Sequence, residues 1–376
     1  MYTGDIGYRV FGNLGFVLKK IFPFRSSFML YRLMNIALFL ATLLYMVTRR
    51  PPLLDNVLFC AFALGFPQFI YLYTYCNTDA FGLSCAIFLF YHSLRLYYTS
   101  FAAWRWQDVG LLALGVGLLL ASKQNYILAG LSPAALLVFK AFRERDFLRI
   151  NRQRAFLWVG CVVVVVLFVA GPLKILYPIA QGDNREEMTR MFERRASDDY
   201  KPSKLALSAL SPKPQNGVRL VDRGYGVFDI LSLKLFKGKS YLEMLMESFW
   251  GVFGWMTVYA PRGVYIAAYA LLFATALLNV RPSLSWRQGA APIRALYSAS
   301  AMTTALGIAS ILWNSLYVDV QAQGRYLYPA FALVLILVCG GLRREAGLSG
   351  KTTELACALL FCLSQYTLWS GLPSLL

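Results

Sequence analysis

Residues 28–48 read FMLYRLMNIALFLATLLYMVT, and Arg49 and Arg50 follow at once. An apolar run of this length matches the ~20 residues an α-helix needs to cross the hydrocarbon of a bilayer. A pair of arginines behind it holds that end on the cytoplasmic side. The same unit recurs along the chain. Leu54–Tyr75, Ala80–Tyr98, Phe156–Tyr177, Val264–Val280, Ile293–Trp313, Tyr326–Leu342 and Leu355–Leu372 are each apolar and long enough to span. Val109–Phe139 has room only for two short spans, because Ser122-Lys123-Gln124-Asn125 interrupts it and a charged tetrapeptide is costly at mid-bilayer. It predicts a tight helical hairpin whose polar tip lies near the outer surface. The expected fold is all-α, a polytopic transmembrane bundle of about ten spans with one external loop region.

Arginines fall in every second connection. Arg95 and Arg105 follow the third apolar segment, and Arg143, Arg145, Arg149, Arg152 and Arg154 the fifth. Arg281, Arg287 and Arg294 follow the seventh, and Arg343, Arg344 and Lys351 the ninth. The other short connections carry little beyond Asp79, Lys123, Asp319 and Arg325. Short loops rich in Lys and Arg stay in the cytoplasm, which puts both termini outside. An outward N-terminus with no apolar segment before it implies that the chain starts one helix late. The organisation expected is an external segment at 1–27, spans at 28–177, an external loop with an aromatic interfacial stretch at 178–260, and further spans at 261–376.

Composition points the same way. The 376 residues are 58% hydrophobic and 15% charged, with a mean hydropathy of +0.53, well above a soluble domain. A net charge of +18 suggests nucleic acid in a soluble protein, but here the excess sits beside helix ends and meets anionic membrane lipid. No nucleic-acid partner is expected. The seven cysteines lie within or beside apolar segments at no metal spacing. His92 is the single histidine, which excludes a multi-His metal site, and its apolar surroundings predict packing. Phosphate loops of the Walker or dinucleotide type are missing. The mixed-charge stretch from Ala180 to Glu247 is too short for its own core, so it is expected to fold onto the membrane domain; Asn184–Ala196 within it has an amphipathic helical pattern. In Ser248–Met256, aromatics interleaved with Gly251 and Gly254 predict an interfacial helix.

Three polar positions interrupt the apolar pattern on the side predicted to be external. Asp79 follows Asn77 and Thr78 at the start of a span, where a carboxylate caps the helix or lines an outward cavity. Lys123 at the hairpin tip either snorkels to the interface or contacts a phosphate. Gln323-Gly324-Arg325-Tyr326 places an arginine with a forked donor set at the mouth of an apolar helix, suited to phosphate or carboxylate. Gly324 gives room for close backbone approach, and Asp319 is the nearby acid for an ion pair.

The order of these features resembles bacterial membrane glycosyltransferases of the GT-C superfamily, an uncharacterised branch of it. The elements that carry the resemblance are YRLMN at 31–35, NTDA at 77–80, the interrupted hairpin at Ser122–Asn125, FWGVFGW at 249–255 and QGRY at 323–326. Together they run over about the whole chain, and their order and common outward placement count for more than any one alone. The resemblance implies transfer of a sugar from a polyprenyl-phosphate donor to a lipid, glycan or protein on the outer face of the membrane. It casts Arg325 and Lys123 as phosphate contacts, with Gln323, Gly324 and Tyr326 around them, and Asp79 as a contact to sugar or metal (Mg or Mn). The family's usual acid, base or metal ligand, sits in an external loop after a first helix. This chain lacks that helix and loop, and Asp5 is the acid left before the first span. The catalytic base is therefore open, with Asp79 and Asp5 the candidates. The resemblance also leaves room for a truncated chain inactive alone, for a flippase of lipid-linked glycans, and for a non-catalytic membrane protein.

Overall fold

The structure is a computed structural model that describes residues 24–48, 66–74, 78–145, 151–171, 220–234, 238–253, 258–283, 291–317, 320, 322–339 and 350–371, with residues 17, 20, 21 and 194 besides. These form an all-α protein. In chain order the helices are α1 (Phe24–Thr48), α2 (Pro67–Thr74), α3 (Asp79–Tyr98), α4 (Trp106–Ala121), the single turn α5 (Gln124–Ile127), α6 (Leu131–Arg143) and α7 (Arg152–Gly171). There follow α8 (Val227–Ser232), α9 (Tyr241–Trp250), α10 (Arg262–Ser283), α11 (Ala291–Tyr317), α12 (Phe331–Cys339) and α13 (Gly350–Gly371). A 3-10 segment, Gly324–Ala330, leads into α12. The extended structure among the described residues is a two-strand antiparallel ribbon, β1 (Val252–Phe253) against β2 (Val258–Tyr259).

Among the described residues, five helices are long and apolar enough to cross a membrane: the windows Met29–Met46, Asp79–Tyr98, Asn125–Arg143, Arg152–Gly171 and Leu296–Tyr317. Trp106–Ala121, Arg262–Leu277 and Leu355–Gly371 are shorter apolar helices. The predicted span Leu54–Tyr75 lies mainly outside the described residues, as do the pattern at Asn184–Ala196, most of the segment at 1–27, and Asp5.

Helix α3 is the axis of the molecule. Of its span 83% is buried, against 11% for α7, whose exposed Phe156, Val164 and Phe168 form an apolar outer surface. A helix apolar on every face belongs inside, and α3 is surrounded by α1, α4 and α6. Its 20 residues rise about 30 Å, the thickness of a bilayer's hydrocarbon. Charge is confined to its two ends, with Asp79 in the first turn and Arg95 in the last, each favourable with the helix dipole.

At the Arg95 end the side chains close a polar rim. The Arg95 guanidinium donates to Asp108 Oδ1 at 2.9 Å. Lys140, fully buried, donates to Glu144 Oε1 at 2.7 Å, and Glu144 Oε2 accepts the Phe101 N–H at 2.9 Å. Arg154 donates to the Trp104 carbonyl at 2.9 Å. Trp104 packs beside Trp158 near the start of α7, and Gly117 meets Val169 near its end, so α4 and α7 run parallel. His92 is packed as the sequence predicts: Nδ1 shares a 2.6 Å hydrogen bond with Tyr45, and Nε2 one of 2.9 Å with the Asp108 carbonyl.

Two expectations need correction. The hairpin at Val109–Phe139 does turn at Ser122–Asn125, but its legs are not zipped together. Both α4 and α6 pack on α3, while α4 turns its other side to α7 and α6 to α11. The interfacial helix expected over Ser248–Met256 stops at Gly251, whose missing side chain leaves room for Pro67, and the chain continues into β1. Phe249, Trp250, Val252 and Phe253 are buried, so these aromatics anchor inward. The loop region behaves as expected where it is described: Leu220, Ile230, Tyr241 and Leu245 pack on Ile311 and Leu316 of α11.

Candidate functional site

At the other end of α3 the structure brings together the three polar positions that the sequence presents separately. Thr78 is the N-cap of α3 but makes no side-chain capping hydrogen bond, and Asp79 is the first residue of the helix. The Asp79 side chain is not used as a cap. Lys123 Nζ donates to its Oδ1 at 2.7 Å, and Arg325 Nε lies 3.5 Å from its Oδ2. Asp79 is buried, whereas the Lys123 and Arg325 side chains are each 27% exposed. The carboxylate therefore sits beneath two cations. Asp319, the sequence-near partner for Arg325, lies outside the described residues.

Each member is held by a different element. The break between α4 and α5 puts Lys123 over the head of α3: Ser122 donates back to the Leu119 carbonyl at 2.7 Å and ends α4 one residue earlier. Arg325 is set by the 3-10 segment, which is pressed onto α9. The Gly324 N–H donates to Ser248 Oγ at 2.7 Å, and Tyr328 Oη donates to the Phe249 carbonyl at 3.2 Å. A Cβ on Gly324 would collide with Phe249 N and Cα and with the Leu245 carbonyl. The close approach that Gly324 permits is thus to the backbone of α9. Ser248 carried no signal in the sequence; its role shows only once α9 and Gly324 are in register.

Electrostatics keep both cations charged. Burial is the largest influence on the Lys123 ammonium and works against it, but the Asp79 carboxylate together with Tyr326 makes the net shift upward. Burial likewise opposes the Arg325 guanidinium, and Asp79 followed by Tyr326 pushes it the other way, again upward. The Tyr326 ring lies between them, its centre 5.8 Å from Lys123 Nζ and 5.5 Å from the Arg325 guanidinium carbon. Among the described residues, two cations against one carboxylate leave a single net positive charge.

The site also holds polar atoms with unused capacity. The Arg325 Nε contact is ionic rather than a hydrogen bond, so that buried N–H lacks an acceptor. Tyr126 is fully buried, within electrostatic reach of Asp79 and Arg325, and its hydroxyl has no hydrogen-bond partner. Gln323 Oε1, at the start of the same 3-10 segment, is buried without a partner as well. Buried polar groups are normally paired, and such a gathering beside two cations has the chemistry of an anion site. A divalent metal does not fit it. Among the described residues no three His, Cys, Asp or Glu side chains gather to hold one.

The chain matches no family model, no curated protein and no solved structure.

Proposed function

We propose that this chain is a glycosyltransferase of about ten spans in the cytoplasmic membrane, both termini external, that transfers a sugar from a polyprenyl-phosphate donor to a lipid, glycan or protein acceptor on the outer face. The observation that carries this reading is the Asp79–Lys123–Arg325 cluster at one end of the buried helix α3, with one net positive charge and an orphaned Tyr126 hydroxyl. A membrane-level cationic site suits the phosphate of a lipid-linked substrate. In transfer, the bond between the sugar's anomeric carbon and the phosphate oxygen breaks, and a bond to an acceptor oxygen forms. The polyprenyl phosphate leaves with the electron pair, and Lys123 and Arg325 hold the donor's phosphodiester in place beforehand. The acceptor proton passes to a base. Asp79, already facing two cations, is better placed as their counterion than as that base.

The test is transfer from a radiolabelled polyprenyl-phosphate sugar in membranes holding the full chain, with Arg325→Ala as control. A labelled acceptor that disappears with Arg325→Ala supports the proposal. Label that crosses the membrane without a new glycosidic bond makes the chain a flippase and overturns it. Neither transfer nor movement leaves a non-catalytic membrane protein.

A further inference from the structure

The layering of the site has a functional consequence. A ligand arriving from outside meets Lys123 and Arg325, each partly exposed, with the Asp79 carboxylate behind them at 1% exposure. Building on the phosphate-binding reading above, we propose that Asp79 sets the charge selectivity of the site, cancelling one of two cations so that the pocket accepts a singly charged phosphodiester and rejects a doubly charged phosphomonoester.

Attraction between site and ligand grows in proportion to the ligand's charge, whereas the cost of stripping its water grows with the square. One net positive charge compensates a monoanion. A dianion leaves one negative charge buried without a partner, which proteins avoid. Besides each other, the groups among the described residues that act on the charges of Lys123 and Arg325 are the Asp79 carboxylate and the phenols of Tyr126 and Tyr326. The phenols supply hydrogen bonds without altering the count. The unpaired Tyr126 hydroxyl is the donor that a non-bridging phosphate oxygen would take.

This reading inverts the usual expectation for an acid in an active site. As base or metal ligand, Asp79 would be needed for binding or turnover, and removing its charge would weaken both. As charge-setter, its neutralisation strengthens binding of the more highly charged ligand.

The experiment titrates the full chain in detergent at pH 8 with dimethyl phosphate, a monoanion, and methyl phosphate, a dianion at that pH. Wild type is expected to favour dimethyl phosphate. D79N is expected to reverse the preference and bind methyl phosphate about tenfold more tightly than wild type. D79N/K123Q, back at one net positive charge, is expected to restore the original order. Short-chain phosphatidylglycerol, titrated alongside, assigns the site to a lipid headgroup if it binds more tightly than dimethyl phosphate, and to free phosphate if it does not. A folded D79N that loses both probes, or keeps the wild-type ratio, overturns the role of Asp79 alone. Wild type binding neither probe nor the lipid overturns the phosphate site itself. Should D79N not fold, the wild-type preference decides, and a preference for methyl phosphate sinks the proposal.

Discussion

The Lys123 ammonium lies 2.7 Å from the Asp79 carboxylate across 44 residues of chain, and Arg325 approaches the opposite oxygen at 3.5 Å. One buried acid thus ties the head of α3, the hairpin tip and the 3-10 segment before α12. It is a structural knot as well as a candidate site, and its two roles have separable signatures.

Stability follows from which partner is removed. Asp79→Ala leaves two partly buried cations facing each other, and the loss is expected at about 3 kcal/mol or more. Lys123→Gln leaves Asp79 still paired with Arg325, so about 1.5 kcal/mol is expected. The double variant should cost clearly less than the two single costs together, because Arg325 alone is then unpaired. Thermal unfolding of the four proteins in one detergent checks this; strict additivity would mean that the 2.7 Å contact carries no energy.

Gly324 is predicted to be intolerant for a steric reason alone. Any Cβ there overlaps the backbone of α9, which cannot rotate aside as a side chain would. Gly324→Ala should therefore lower the unfolding temperature sharply and displace Arg325 from Asp79. Gly160 in α7 is the control: a Cβ there meets nothing within 4 Å, and Ala is the better helix former by about 1 kcal/mol. Gly160→Ala should be neutral or stabilising. Equal effects at the two positions would mean that α9 does not press on the 3-10 segment.

Much of this was legible in the sequence, and the remainder was not for identifiable reasons. Apolar run length marks α3, α7 and α11 directly, since a span is a local property. Asp79, Lys123 and Arg325 stand out because charge in apolar surroundings is expensive. That they form one cluster was hidden. Local reasoning offered Asp79 as a helix cap or a cavity-lining acid, whereas its pairing with Lys123 and Arg325 depends on three elements distant in sequence. The end of α9 at Gly251 was likewise hidden, because one neighbour that crowds that position, Pro67, belongs to another helix. Tyr126 carries no signal in the sequence, and its buried, unpartnered hydroxyl shows only in the fold.

The rim at the Arg95 end should make the fold acid-sensitive. Burial tends to raise the Glu144 carboxyl, but the hydrogen bonds from Lys140 and the Phe101 N–H outweigh it and its pKa is lowered from the ordinary 4.5. A carboxylate lowered on folding contributes stability that is present above its unfolded value and is lost as pH falls through the folded one. The loss should therefore begin near pH 4.5 and deepen below it. In Glu144→Gln the melting temperature should be lower at neutral pH and less dependent on pH across that acid range. Parallel pH profiles for the two proteins would show that the contacts of Glu144 to Lys140 and Phe101 add nothing.

Orientation is the expectation on which every external assignment depends. Among the described residues, the end of α3 near Arg95 gathers Arg95, Arg105, Lys140, Arg143, Arg145, Arg152 and Arg154 against Asp108 and Glu144. The Asp79 cluster holds two cations on one acid, and α9 beside it adds the balanced pairs Lys239–Glu247 and Arg262–Glu243. Lys and Arg density decides which side stays in the cytoplasm, so the Arg95 end should face inward and the Asp79 cluster outward, about 30 Å away along α3. A cysteine placed at Lys123 in a cysteine-free chain should react with an impermeant maleimide added to intact cells. One placed at the exposed Arg145 should react only after the membrane is opened. Labelling in the reverse order would turn the molecule over, and a donor presented on the outer face could then no longer reach Lys123 and Arg325.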